Sequence, residues 1–583
     1  MKDKSPFDAP PWWTRAVIYQ IYPRSFQDSN GDGVGDLRGI MQRVDYLADL
    51  GVDAVWLSPI YRSPQDDNGY DISDYQDVDP IFGTLADLDG LIDALHRRGI
   101  KVVMDLVVNH TSDEHPWFIE SRSSKTNPKR DWYWWRPARD GMEPGAPGAE
   151  PTNWESIFSG PAWEFDQATG DYYLHLFSRK QPDLNWENPE VRQAIYAMMR
   201  WWLDRGIDGF RMDVINFISK ATHPDGSLLD GPVTHGRSGD PSEGTINGPR
   251  VHEFLQEMNR AVFAGRREAL LLVGETPGTT LDHGLLFSDP RRGELDMIFT
   301  FEHVSLDYGP GGRFDPRPLD LRDLKATLGG WQDGLQGIGW NALYWNNHDQ
   351  PRIVSRFGDD GAFQRESATM LATVLHMHRG TPYVYQGEEL GMTNAHFTAL
   401  DSYRDIDSLQ YAAEARALGK QTDVQILAAL DARSRDNART PMQWDSSPQA
   451  GFTTGEPWLA VNPNHRTINA AAEQTDPSSI FHYYRRLIAL RHDNATVQFG
   501  DFTMLLPDHP HVYAFTRALD DERLLVLGNF SPDVQDIECD REWDEAELVI
   551  GNYEDSATPR NGAVTLKPWE AIVLRFQPER IPR

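Results

Sequence analysis

Along most of the chain a short apolar run is followed by a polar loop and then a longer amphipathic stretch, and the cycle repeats. The apolar runs at residues 16–21, 54–57, 102–108, 209–212, 271–274, 297–301, 342–345 and 382–385 read as strands, with helical periodicity between them, as at 85–98 and 189–205. Eight strands alternating with helices predict an α/β protein with a parallel sheet closed into a (β/α)8 TIM barrel. The near-continuous apolar run at 102–108 fits a strand buried on both faces. The rhythm breaks twice. Residues 111–180 are rich in Trp, Pro, Gly and charge, as in Asp131-Trp132-Tyr133-Trp134-Trp135-Arg136-Pro137. So long an excursion after the third strand predicts an inserted domain over the C-terminal face of the barrel. After residue 498 short alternating strands appear at 512–516, 524–527, 548–550 and 572–576, which predict a C-terminal antiparallel β-sandwich. The expected division is 1–110 and 181–498 for the barrel, 111–180 for the inserted domain and 499–583 for the C-terminal domain.

Composition narrows the function classes. With 583 residues, 39% of them apolar, the chain is long enough for a barrel with satellites. Its 19 Trp and 20 Tyr suit stacking on sugar faces, although such rings serve equally in cores. The formal net charge of −32 disfavours nucleic acid and anionic lipid as partners and tolerates a neutral substrate. A single cysteine, Cys539, excludes an intrachain disulfide and a Cys-based metal site. No apolar leader follows Met1-Lys2-Asp3-Lys4-Ser5-Pro6 and no run is long enough to span a membrane, so a cytoplasmic location is expected. Nothing in the pattern speaks to oligomeric state, monomer or dimer.

Candidate chemistry lies at the C-terminal ends of the strands, where barrels of this type carry their catalytic groups. Asn109-His110, Arg211-Met212-Asp213-Val214, Gly274-Glu275 and Asn347-His348-Asp349 bring three carboxylates and two histidines to one mouth. A lone strand-end carboxylate is often a cap or loop tie; the joint placement is what that reading leaves unexplained. Glycoside cleavage needs one carboxyl to protonate the leaving oxygen and another to attack or to activate water. Arg211, two residues before Asp213, points to the same side. It is expected to lower the Asp213 pKa and keep that group ionised as a nucleophile. Glu275, facing two other carboxylates, is expected to have a raised pKa suited to a general acid.

The motifs Asp105-Leu106-Val107-Val108-Asn109-His110, Gly209-Phe210-Arg211-Met212-Asp213, Gly274-Glu275 and Asn347-His348-Asp349 resemble the four signature regions of the α-amylase superfamily, glycoside hydrolase family 13, in order and spacing. The resemblance implies a barrel with an excursion after strand three and a C-terminal β-sandwich. It also implies Asp213 as nucleophile, Glu275 as acid/base and Asp349 as transition-state stabiliser, with His110, His348 and Arg211 holding sugar hydroxyls or the nucleophile. Catalysis in the family needs no cofactor.

Further motifs resemble the oligo-1,6-glucosidase branch: Asp66-Asp67-Asn68-Gly69-Tyr70-Asp71, Gln181-Pro182-Asp183-Leu184-Asn185-Trp186, His348-Asp349-Gln350-Pro351-Arg352 and Asp436-Asn437-Ala438-Arg439-Thr440-Pro441-Met442-Gln443-Trp444. That branch implies Asp67, Tyr70, Phe177 and Arg439 as binders of a terminal glucose, closing the pocket for exo action. For Arg439 a structural ion pair is the alternative, and for Tyr70 core packing. Val214, after the nucleophile, goes with α-1,6 linkages in this family, where Ala or Thr goes with α-1,4; one side chain sets a preference on the order of 1–3 kcal/mol. Sucrose isomerases share much of the pattern but carry an Arg-rich segment where this chain has Glu302-His303-Val304-Ser305-Leu306-Asp307-Tyr308-Gly309-Pro310. The expected activity is therefore an exo-acting retaining α-glucosidase on short α-1,6-linked oligosaccharides. Its competitors are an α-1,4-glucosidase, a sucrose-cleaving or transglucosidase enzyme, and a non-catalytic sugar-binding or partner module.

Asp28-Ser29-Asn30-Gly31-Asp32-Gly33-Val34-Gly35-Asp36 places oxygen donors at alternate positions around glycines, as a chain does when it wraps Ca2+. Gly39 at the twelfth position departs from an EF-hand. Family members often bind Ca2+ or Mg2+ here, which implies Asp28, Asn30, Asp32, Asp36 and the Val34 carbonyl as ligands of a structural ion; a metal-free polar turn is the alternative.

Overall fold

The computed structural model describes residues 10–235, 238–266, 270–419 and 421–577. The Met1–Pro6 stretch lies outside the described residues. Eight strands form one parallel sheet: β1 (Ile18–Ile21), β2 (Ala54–Leu57), β3 (Lys101–Val107), β4 (Gly209–Asp213), β5 (Leu271–Glu275), β6 (Met297–Phe299), β7 (Ala342–Leu343) and β8 (Thr381–Tyr385). Their order is β6-β5-β4-β3-β2-β1-β8-β7, and a parallel bridge between Ile298 and Asn341 closes the ring between β6 and β7. The expected TIM barrel is borne out. β7 is shorter than its apolar run because Tyr344 and Trp345 leave the ladder: the Tyr344 hydroxyl donates to the Thr300 carbonyl at 2.9 Å and the Trp345 indole to that of Leu371 at 2.7 Å.

Alternate residues face the barrel axis. Ile18, Ala54, Trp56, Val103, Leu271, Val273, Met297, Phe299, Ala342 and Tyr383 share one buried cluster, which fills the barrel from below. The outer faces of the strands belong to a larger cluster with the surrounding helices. Local chemistry sets the helix ends. Thr84 and Asp87 form a reciprocal capping box for Leu85–Arg97. Pro189–Arg205 starts with Asn188 capping and Pro189 in the first turn, and stops at Gly206 with φ of +110°.

The excursion after β3 contains the helix Pro116–Ser123 and a three-stranded antiparallel sheet with Asp171–Leu174 in the centre. Its core, built on Trp134, Trp154, Trp163 and Leu176, takes in Val214 and Phe217 from the loop after β4. The inserted segment and the loop leaving β4 are thus one packed unit. After β8 the helices Ile406–Leu418 and Asp423–Arg433 pack on each other and on Phe314 of a hairpin that follows β6. At the C-terminus a five-stranded antiparallel sheet and a two-stranded one, Gln535–Glu538 with Ala563–Leu566, enclose a common apolar layer. Among the described residues no helix is long and apolar enough to cross a membrane.

Candidate active site

Strand register builds the site. Asp105 and Val273 lie level with Arg211, and Asp213 lies one inward layer higher, level with Val107. Gly209 opens this stack because a Cβ there would come 2.1 Å from the Leu271 carbonyl oxygen. Arg211 is 1% exposed and lies with its guanidinium carbon 4.8 Å from the Trp56 ring centre. Its Nη1 reaches Asp105 and Asp213, each at 2.8 Å, and its Nη2 reaches Glu275 at 2.7 Å. Asp105 also accepts from the Trp56 indole at 3.1 Å and the Tyr70 hydroxyl at 3.0 Å.

The expected electrostatics of this pair need correction. Arg211 sits where the spacing placed it, yet the Asp213 carboxyl lies well above the usual carboxylate range. Burial is the largest cause, Glu275 adds to the rise, and Arg211 opposes both. One guanidinium does not offset the burial of Asp213 among neighbouring carboxylates.

A second hub is built around Arg435. Its Nη2 lies 2.6 Å from Asp405 and 3.1 Å from Asp67, and its Nη1 lies 3.2 Å from Asp349. Arg439, 1% exposed on its side chain, contacts Asp349 at 2.9 Å and Asp405 at 3.3 Å and donates to the His348 carbonyl at 2.9 Å. Burial would raise Asp349, but His348, Arg435 and Arg439 hold it far below the usual range. Burial pushes His348 down to about 3, so near neutral pH that pull comes from the two guanidinium groups. Burial raises Asp67 to about 7 against the opposing pull of Arg435 and Arg439.

The remaining candidates converge on the same mouth. His348 is sandwiched between Tyr70, with ring centres 5.2 Å apart and planes 4° from parallel, and Tyr22 at 6.0 Å. With Gln20 Nε2 donating to His348 Nδ1 at 2.8 Å, the ring proton sits on Nε2, which faces Asp349 at 3.2 Å. His110 is pushed down to about 4 by burial and lies 3.3 Å from Gln181 Nε2, an amide that also donates to Asp67 at 3.2 Å. Phe177 packs 5.1 Å from His110 and stacks on Phe217 at 6.2 Å. Val214 adopts φ of +32°, a left-handed conformation uncommon for a β-branched residue. That strained turn aims its N–H at Glu275 Oε2, 3.0 Å away. Behind these groups the buried Lys220 ammonium contacts Asp183 at 2.7 Å and donates to Asn109 at 2.8 Å and to the Phe217 carbonyl, tying β3, β4 and the returning excursion together.

Residues 20–500 match the family model described as "Alpha amylase, catalytic domain". The chain belongs to the α-amylase family. Residues 512–573 match the C-terminal domain model of the α-amylase SusG. Among relatives of this glycoside hydrolase family, an oligo-1,6-glucosidase of Parageobacillus thermoglucosidasius is 55% identical over 97% of this chain and 99% of that protein. A trehalose-6-phosphate hydrolase of Bacillus subtilis (strain 168) is 49% identical over 97% of this chain and 98% of its own length. The crystal structure of isomaltulose synthase from Erwinia rhapontici NX5 superposes with a TM-score of 0.92 at 41% identity, covering 98% of this chain and all of that one.

Within this α-amylase family frame, Arg435 and Asp405 join the cluster although sequence reasoning did not single them out, and Gln181 was quoted only within a motif, with no role assigned. Arg435 was findable from Arg439, because residues four apart on a helical turn share a face and Asp436–Arg439 is such a turn, preceded by Arg435. Asp405 was not, since nothing local marks a helix N-cap as the partner of two distant arginines.

The 28–36 loop is wound around its own side chains. Asp28 accepts from the Asn30, Gly31 and Gly33 N–H groups at 2.7–2.9 Å and from the Thr453 hydroxyl, and it lies below the usual carboxylate range because these bonds outweigh burial. Asn30 and Asp32 accept from Asp32 N and Val34 N at 2.9 Å, while Asp36 caps the helix Leu37–Gln42. Among the described residues no three His, Cys, Asp or Glu side chains gather to hold a metal ion, so an ion here would need the Asn30 amide and the Val34 carbonyl to complete its ligands.

Proposed function

We propose that the protein is an exo-acting retaining α-glucosidase that hydrolyses the terminal α-1,6-glucosidic bond of short oligosaccharides such as isomaltose. The observation that carries the reading is the single guanidinium of Arg211 reaching both Asp213 and Glu275. Two carboxyls tied to one fork are held close together, and retaining glycosidases need a short separation of about 5–5.5 Å. In this reading an Asp213 carboxylate oxygen attacks the anomeric carbon as the glycosidic C–O bond breaks, and Glu275 passes its proton to the leaving oxygen. Glu275 then takes a proton from water, which displaces Asp213 and restores both groups. Asp349, held ionised by Arg435 and Arg439, faces the positive charge that develops in the oxocarbenium-like transition state. His110 and His348, both neutral near pH 7, offer ring nitrogens to sugar hydroxyls. Asp67 and Arg435 wall the far end of the pocket, which supports exo action. The relatives named oligo-1,6-glucosidases and the Val214 side chain support the α-1,6 linkage.

The test is kcat/KM for glucose release from isomaltose and maltose in parallel, with Asp213→Asn as control. Isomaltose is expected to exceed maltose by about tenfold or more, and the variant to lose at least about 10^3-fold of activity. A maltose preference would sink the linkage assignment; a fully active variant would sink the mechanism.

The reading includes a structural Ca2+ held by Asp28, Asn30, Asp32, Asp36 and the Val34 carbonyl. The ionised Asp28 and the hard oxygen donors suit such an ion.

A further inference from the structure

A cleft of about 740 Å3 opens beside the carboxylate cluster. Two of its wall residues reach the catalytic surroundings directly. Arg313 donates to the Asp349 carbonyl at 2.7 Å, and Phe158 lies 5.8 Å from Phe177 and 5.1 Å from the Arg435 guanidinium. Much of the lining comes from the hairpin after β6, which carries Arg313, and from the helix Ile406–Leu418; their Phe314 and Tyr411 rings stack 4.2 Å apart at 15°. The charge of this lining is lopsided. Among the described lining residues Asp315, Asp407 and Glu414 are acidic and Arg313 is basic. The guanidinium of Arg313 is already engaged, with Asp407 at 3.2 Å and with the carbonyls of Asp349 and Arg433. Asp315 and Glu414 therefore face the cleft without a cationic counterpart among those residues.

We propose that this cleft receives the leaving-group part of the substrate and selects an uncharged polyhydroxyl chain against an anionic one, such as a sugar acid or sugar phosphate. The inference rests on the glucosidase reading and deepens it. A glucosyl unit bound between Asp213 and Asp349 would direct its aglycone past Phe158 and Arg313 into this space. The Phe314–Tyr411 pair offers an apolar platform for the face of a further sugar. The Asp315 and Glu414 carboxylates repel an anion at short range and accept hydrogen bonds from hydroxyls. Family membership alone does not separate these choices, because a relative named as a trehalose-6-phosphate hydrolase is nearly as similar as the oligo-1,6-glucosidases.

The test compares two open-chain aglycones that differ in charge: isomaltitol, neutral, and isomaltobionate, its carboxylate counterpart. The parent enzyme is expected to favour isomaltitol in kcat/KM by at least tenfold, with the ratio falling at high salt. The Asp315→Asn/Glu414→Gln double variant is expected to shrink that ratio at least threefold. Because the readout is a ratio, a variant that merely loses overall activity leaves it at the parent value, and that outcome overturns the proposal. A second arm is Tyr411→Ala, expected to cost isomaltotriose about fivefold more than isomaltose; equal losses would overturn the platform. If isomaltose is cleaved but the charge ratio is near one, this inference fails and the glucosidase reading survives. If no neutral α-glucoside is cleaved, both fall.

Discussion

Arg211 gathers three buried carboxylates and Arg435 two buried ones with the half-buried Asp349, and the chemistry of the site follows from how unequally the two hubs are supplied with positive charge. Arg211 alone faces Asp105, Asp213 and Glu275. Asp349 and Asp405 are shared between Arg435 and Arg439. Burial therefore raises Asp213 in the first hub, while the two guanidinium groups of the second hold Asp349 ionised. Arg435→Ala is expected to strand buried carboxylates at a cost of about 3–5 kcal/mol. Equilibrium denaturation checks it, and a loss under about 1 kcal/mol would contradict the hub. Arg435→Lys keeps the charge but not the fork and should recover only part of the loss. Asp67 supplies a pH signature. Its folded pKa, about 7, lies above the unfolded value of about 3.9. Its contribution to stability is thus fully present below the unfolded pKa and lost as pH rises toward 7. Asp67→Asn should flatten the fall in stability between about pH 4 and 7 relative to the parent; melting curves across that window would show identical slopes if the carboxyl is not in fact raised.

At the scale of elements, the site depends on loops that are packed as firmly as the strands they leave. Val214 and Phe217 lie in the core of the excursion, and Lys220 is fully buried beneath it, so the strained turn after β4 is held by surroundings that over-determine it. The 28–36 loop is pinned from the other side: at Gly33, with φ of +91°, a Cβ would come 1.8 Å from the Glu456 carbonyl oxygen. If this loop carries Ca2+, a chelator should lower the melting temperature by several degrees, with recovery on adding Ca2+ in excess of chelator. A melting temperature indifferent to both treatments would leave a metal-free polar turn.

At the scale of the whole molecule, a net charge of −32 imposes self-repulsion that salt relieves. The melting temperature should rise by on the order of a few degrees between about 0.01 M and 0.15 M monovalent salt, across which the Debye length falls from about 30 Å to about 8 Å. A flat response would mean that the surface charges are already compensated locally.

The eight strands were legible as apolar runs because a strand buried on both faces has no polar positions to hide the signal, and the excursion and the C-terminal sheets were legible as breaks in that rhythm. Asp213, Glu275 and Asp349 were legible because side chains at strand ends must project into the mouth of a barrel. The neighbours of those side chains were not legible. Arg435 meets Asp67 across 368 residues of chain and Asp349 across 86, and no local pattern encodes such meetings. The direction of the Asp213 pKa was misread for the same reason: spacing along β4 reveals the adjacent arginine, whereas burial and the approach of Glu275 from β5 exist only once the barrel has closed. Sequence alone determined where the strands and the carboxylates that follow them fall, since periodicity and chain direction are local. Their charge states and the acidic wall of the neighbouring cleft were decided by tertiary structure, because desolvation and pairing depend on everything within a few ångströms and not on position along the chain.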